Sequence, residues 1–79
     1  MSPTVFRDGD YRFFFFSREE SRRHVHVCCP EGEAKFWIEP NVVLACSAGL
    51  TEKQLGAVRK TVEERRNEIT EAWNGHFGR

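Results

Sequence analysis

The chain has 79 residues, and its 12 basic and 12 acidic side chains cancel at neutral pH. A chain of this length buries only about 60% of its unfolded surface on folding, so we expect one compact domain over residues 1–79. The balanced charge argues against a general polyanion binder, although a local basic patch is still compatible with it.

The sequence predicts a cytoplasmic protein with reduced thiols. No stretch approaches the roughly 20 apolar residues of a membrane-spanning helix, and the first residues lack the basic, apolar and small-residue order of a signal peptide. The three cysteines are an odd number. Cys28 and Cys29 would point to opposite faces of one strand, which argues against a disulfide framework.

Strands are predicted in the first 46 residues. The turn residues Asp8, Gly9 and Asp10 separate two β-prone runs and predict a hairpin. The polar segment 17–21 is short enough to turn the chain back into the next strand, and residues 30–33 form another tight turn. The predicted strands are residues 4–7, 11–16, 22–29, 34–39 and, as a fifth strand or an extension of the sheet edge, 42–46.

One long helix is predicted over about residues 51–76. Thr51 can cap its start and Gln54 completes a capping box, while Leu50 and Leu55 occupy the positions of a hydrophobic staple. An apolar stripe recurs at helical spacing, with a gap at Arg65 and Arg66. We expect the stem of Arg66 to lie over apolar surface with its charged end in water. The stripe consists of Leu55, Val58, Val62, Ile69, Trp73 and Phe77.

These elements predict an α+β fold, a two-layer sandwich in which an antiparallel sheet of four or five strands has the helix on one face. Val25, Val27, Phe36 and Ile38 would then face the helix, because side chains alternate along a strand. The open face would collect Arg12, Phe14, Phe16, Arg22, His24, His26, Cys28, Lys35 and Trp37.

Basic and aromatic side chains alternate on that open face. Such a surface suits a protein interface, in which aromatic residues and arginine often dominate the binding energy. It is also compatible with a nucleic-acid surface, in which bases stack on rings and cations meet phosphates. A partly solvated sheet face without a ligand is the third interpretation. The protein interface is the one we favour.

The histidines at positions 24 and 26 raise the questions of metal binding and catalysis. His24, His26 and Cys28 recur on one strand face, but they do not complete a zinc site and no paired ligand motif accompanies them. We therefore expect no metal and no cofactor. Two imidazoles could share acid and base steps in RNA cleavage, with Arg22 or Arg23 holding the phosphate. Without a defined geometry we assign no catalytic residue; any would be His24 and His26.

Several short motifs follow one another along nearly the whole chain. They are SPTVF at residues 2–6, YRFFFFS at 11–17, HVHV at 24–27, AKFWIEP at 34–40 and AW at 72–73. In this order they resemble the small bacterial family known as domain of unknown function 4160. Many members carry a Pro-Pro pair and an earlier histidine before the His-x-His segment, where this chain has Ser21, Arg22 and Arg23. A role for that histidine does not transfer to this chain.

The resemblance implies a short stand-alone domain, often encoded beside a second small protein of the family known as domain of unknown function 2442. The two look like a toxin–antitoxin pair, and no established catalytic residues come with the family. We therefore expect a non-enzymatic subunit that docks such a partner, with an RNA-binding or RNA-cleaving toxin as the alternative. The expected contact residues are Arg12, Phe14, Arg22, His24, His26, Lys35 and Trp37.

Overall fold

The computed structural model describes residues 4–16 and 22–78, which form an antiparallel sheet and two helices. The strands of the sheet follow the chain order, so each pairs with its neighbour in sequence. This confirms the α+β prediction. The elements are β1 (Thr4–Asp8), β2 (Tyr11–Phe14), β3 (His24–Cys29), β4 (Gly32–Trp37), β5 (Val43–Ala48), α1 (Glu52–Glu64) and α2 (Arg66–Phe77).

The core lies between the helices and one face of the sheet. Val25 and Val27 on β3 are 0% and 1% exposed, as their alternation with polar neighbours predicts. Phe36 and Ile38 are buried in the same layer. The helices contribute the buried residues of the predicted stripe, namely Val58, Val62, Ile69 and Trp73.

The fifth strand is present, at Val43–Ala48 instead of the expected 42–46. The second strand is shorter than expected and ends at Phe14, although Phe15 is still buried in the core. The predicted turn at residues 17–21 lies outside the described residues. Among the described residues, no helix is long and apolar enough to cross a membrane.

The predicted helix start is confirmed. The Oγ1 atom of Thr51 accepts a hydrogen bond from the backbone N–H of Gln54 at 3.1 Å. The backbone N–H of Thr51 in turn donates to Oε1 of Gln54 at 2.9 Å. Together these bonds form the capping box and satisfy two backbone donors that the first helical turn leaves unpaired. Leu50 and Leu55 both pack against the core.

The prediction of one long helix is wrong, because the helical segment breaks at Arg65. The backbone of this residue has φ −109° and ψ 22°, outside helical values. A straight helix over residues 52–77 would be about 39 Å long, whereas the longest dimension of the molecule is 34 Å. The break lets the buried apolar residues of both helices stay in contact with the sheet. Arg66 just after it donates to the Pro40 carbonyl at 2.7 Å and is half-buried.

Candidate binding surface on the open sheet face

The strand register brings most of the predicted contact residues onto the sheet face opposite the helices. Phe14 pairs with His26 across β2 and β3, and His26 pairs with Lys35 across β3 and β4. His24 pairs with Trp37 in the same way. Because directly opposed residues of antiparallel strands point to the same side, these side chains form adjacent rows.

A groove of about 340 Å³ lies on this face and crosses β2 to β5. We call it the open-face groove. Its lining is mainly apolar, and aromatic rings form one side of it while small side chains of β5 form the other. The lining includes Phe14, Phe16, His26, Cys28, Lys35 and Cys46.

His26 lies at the centre of a ring cluster beside the groove. Its imidazole stacks on Phe14, with ring centroids 5.5 Å apart, and meets the Phe16 ring edge-on at 4.4 Å. Phe16 is 46% exposed, which makes it one of the most exposed large apolar side chains among the described residues. The Arg12 guanidinium lies 4.6 Å from the centre of the Phe14 ring. The cluster therefore offers apolar area with a cation at its border.

Trp37 is a second aromatic group of the open face, and two cations lie close to its ring. The Arg22 guanidinium and the Lys35 ammonium lie 4.3 Å and 4.4 Å from its ring centre. Arg22 is fixed in turn, since its Nε donates to the Glu39 carbonyl at 3.1 Å. The indole is half-buried and is held in a defined orientation by these neighbours.

The structure separates the two histidines that the sequence paired. His24 is 0% exposed, whereas His26 is half-buried and lines the groove. The Nδ1 atom of His24 lies 2.7 Å from the Arg22 carbonyl oxygen. That nitrogen carries the proton, because a carbonyl oxygen only accepts. The His24 ring lies 5.4 Å from that of Trp37 and 5.1 Å from that of Trp73. It thus joins the open face to the helix layer.

Arg23 fastens this end of the sheet to the second helix, a role the sequence analysis missed. Its Nη1 forms an ion pair with Glu39 at 2.9 Å, and its Nη2 donates to Oδ1 of Asn74 at 2.7 Å. Hydrogen bonding from Arg23 lowers the pKa of the Glu39 carboxyl below its ordinary value. Arginine next to a helix-facing strand gives no sequence signal for such a contact, since its partners are distant in the chain.

The part of the groove formed by β5 was not predicted from the sequence. Val43 pairs with Trp37 and Cys46 pairs with Lys35, so both lie on the open face. Simple alternation would put Val43 and Ala45 on the same face instead. The register shifts at this point and leaves Ala45 as an extra residue, a β-bulge that alternation alone does not predict.

The three cysteines are all free thiols, and their surroundings differ. Cys28 is half-buried, and Cys46 is exposed. Cys29 donates from Sγ to Oε1 of Glu31 at 3.3 Å. Within residues 4–16 and 22–78, no group of three or more His, Cys, Asp or Glu side chains is arranged to hold a metal ion.

Comparison with known proteins gives one match, which is at the family level. The chain has no match among curated proteins or solved structures. The family model described as Domain of unknown function (DUF4160) matches residues 10–74. The matched segment contains β2 to β5, the open-face groove and nearly all of both helices. The chain therefore belongs to the DUF4160 family.

Proposed function

We propose that this protein is a non-enzymatic binding subunit that docks a small protein partner through its open sheet face. The observation that carries the proposal is the open-face groove, a mainly apolar depression bordered by oriented rings and cations. Interface residues that dominate binding are enriched in aromatic side chains and arginine, and they cluster where water is excluded. The open face combines aromatic rings and arginine side chains with a mainly apolar groove.

The contact residues of this proposal divide into two groups. Phe16, His26, Lys35 and Trp37 carry side-chain surface that a partner can cover. His24 is fully buried, so its part is to support Trp37 from the core side. Arg12, Phe14 and Arg22 complete the surface through their ring contacts. The resulting surface is suited to recognition, because its rings are already oriented before a partner binds.

The partner we propose is a small protein of the domain of unknown function 2442 type, with which this chain would form a toxin–antitoxin-like pair. Support comes from the family to which the chain belongs and from the habit of gene pairing that the resemblance implies. The helices pack on the opposite face of the sheet, which leaves the open face for such a partner.

Mutation of the open face tests the proposal. The two proteins would be co-expressed, and the dissociation constant of the complex measured by calorimetry. We expect Trp37→Ala to weaken binding by at least about tenfold, as loss of a buried aromatic contact does. Lys35→Ala should weaken it less. Lys60→Ala is the matched control, because Lys60 is exposed on α1. Equal affinities for all three variants, or no complex with the wild type, would contradict the proposal.

RNA binding is the second candidate function, and one observation favours it. Arg12, Arg22 and Lys35 lie against aromatic rings, an arrangement that can meet phosphates beside stacked bases. Cleavage by two histidines is disfavoured, because His24 is fully buried. The RNA hypothesis predicts growth arrest on expression, relieved by His26→Ala, and RNA retention that weakens with salt. Normal growth together with no RNA retention would exclude it.

A further inference from the structure

The strand β5 forms one edge of the sheet. It pairs with β4 on its inner side, and within the described residues no strand borders its outer side. Five of its six residues are exposed, and only Leu44 is half-buried, against the core. An edge strand presents backbone N–H and C=O groups that can pair with another strand. This edge is therefore open to a further strand.

The two edges of the sheet differ in charge. The opposite edge strand, β1, contains Arg7 and Asp8, both exposed. Charged side chains on an edge are a common protection against pairing with other chains. The strand β5 has the sequence VLACSA, with no charged residue and no proline. Both edge strands have a register irregularity, so a bulge does not distinguish them. The sequence protects β1 by charge and leaves β5 without that protection.

We propose that β5 pairs in an antiparallel manner with β5 of a second copy of this chain. A two-fold dimer requires an edge that is complementary to itself. β5 meets this requirement because no like charges meet when two copies lie side by side. An acidic or basic partner would find no opposite charge on this strand. A strand of six residues is about 20 Å long, enough for several backbone hydrogen bonds between the copies.

The dimer would join two sheets into one and extend the open face. Cys46, Ser47 and Ala48 line the β5 side of the open-face groove, so the grooves of the two copies would lie on either side of the new strand pair. Val43, which is 43% exposed, would gain cover from the opposing strand. The inference does not depend on the proposed function, because it concerns the strand edge and not the groove.

Sedimentation velocity over a wide concentration range tests the inference. We expect a reversible monomer–dimer equilibrium for the wild type. Ala45→Lys and Ser47→Lys each add a charge at an exposed position of β5. We expect either to raise the dissociation constant by at least about tenfold, since like charges then meet near the two-fold axis. Ala57→Lys is the matched control, because Ala57 is exposed on α1.

Chemical crosslinking gives an independent readout. Cys46 is exposed and lies in the middle of β5, so a short bismaleimide should link two copies through it. Cys46→Ser should remove most of the crosslinked dimer. Circular dichroism would verify that every variant is folded. A wild type that stays monomeric at all concentrations would overturn the inference. So would a dimer that both lysine variants leave unchanged.

Discussion

His24 shows how a single side chain on β3 connects the core to the proposed binding surface. Its ring contacts Trp73 of α2 and Trp37 of the open face, and its Nδ1 is hydrogen-bonded to the Arg22 carbonyl. Any change at His24 will therefore act through packing as well as through polarity. The residue is a structural support for the surface, and mutations at His24 and His26 have different expected effects.

We expect His24→Ala to lower the free energy of unfolding by about 2–4 kcal/mol. The substitution empties a fully buried site and removes a hydrogen-bond donor from the Arg22 carbonyl. Urea denaturation would measure the change. His26→Ala is the control, since its ring is half-buried and lines the groove. Equal destabilisation by the two substitutions would contradict the structural distinction between them.

The ion pair of Glu39 and Arg23 gives a dependence of stability on pH. The hydrogen bond from Arg23 lowers the pKa of Glu39 in the folded chain below the ordinary value of 4.5. The unfolded chain thus takes up the proton first as pH falls. The stabilisation is present at neutral pH and is lost as pH falls below 4.5 through the folded pKa.

The substitution Glu39→Gln tests the predicted direction of this pH dependence. Because the side chains of Arg23 and Glu39 are still 28% and 38% exposed to solvent, we expect the substitution to cost at most about 1 kcal/mol near neutral pH. The difference from the wild type should shrink below pH 4.5. Urea denaturation near neutral pH and below pH 4.5 would measure the difference in the free energy of unfolding. If the stability difference between Glu39→Gln and the wild type grows as the pH is lowered, the predicted direction is wrong.

Strand alternation in the sequence was sufficient to predict which residues of β2, β3 and β4 share the open face. The alternation of side chains along each strand predicts that Phe14, His26 and Trp37 lie on one face. The observed pairing of the strands keeps them there. The burial of His24 was not predictable in this way. It depends on Trp73, which lies on α2 about fifty positions later and contacts the ring from the helix side. Only the packed fold brings these two residues together.

The capping box is the feature of α1 that mutation can test most simply. We expect Thr51→Ala to lower the free energy of unfolding by about 1 kcal/mol, because the backbone N–H of Gln54 then loses its acceptor. Thermal or urea denaturation would measure the loss. Thr51→Ser should retain most of the stability, since serine offers the same oxygen. A Thr51→Ala protein as stable as the wild type would mean that solvent replaces the cap fully.

The start of β4 requires glycine at position 32 for a steric reason. A Cβ atom there would collide with the Ala48 carbonyl oxygen and with the backbone of Gly49. We expect Gly32→Ala to destabilise the fold and to displace β5 from β4. Gly75→Ala is the matched control, because a Cβ at this helical position meets nothing within 4 Å. It should stabilise the chain by about 0.5–1 kcal/mol.

Urea denaturation of the two alanine variants would measure both changes in the free energy of unfolding. Opposite signs of the change in the free energy of unfolding would support the close contact of the end of β5 with the start of β4. A neutral effect of Gly32→Ala would contradict it.

Element boundaries were predictable where the sequence carries a local signal. Thr51 and Gln54 mark the helix start, and Gly78 follows the last residue of α2 in a left-handed conformation. The break at Arg65 has no such signal, because neither proline nor glycine occupies the position. A straight helix over both segments would be about 39 Å long, longer than the 34 Å extent of the molecule. The bulge at Ala45 likewise reflects pairing between strands, which a single strand does not encode.

At the scale of the whole molecule, the helices cover one face of the sheet and leave the other available. The core residues of α1 and α2 pack against Phe13, Val25, Phe36 and their neighbours. The second face carries the open-face groove. The sequence predicted this division, because the apolar stripe of the helices suffices for only one side of a sheet. We propose that a protein partner occupies the remaining side.

Amide hydrogen exchange tests whether a partner covers this side of the sheet. It would be measured on the chain alone and with the small partner protein of the domain of unknown function 2442 type. We predict added protection in β3 and β4, around His26 and Trp37, and in the β5 residues beside the groove. The solvent-facing amides of α1 and α2 should exchange at unchanged rates. Added protection confined to the two helices, or none anywhere at saturating partner, would contradict the claim.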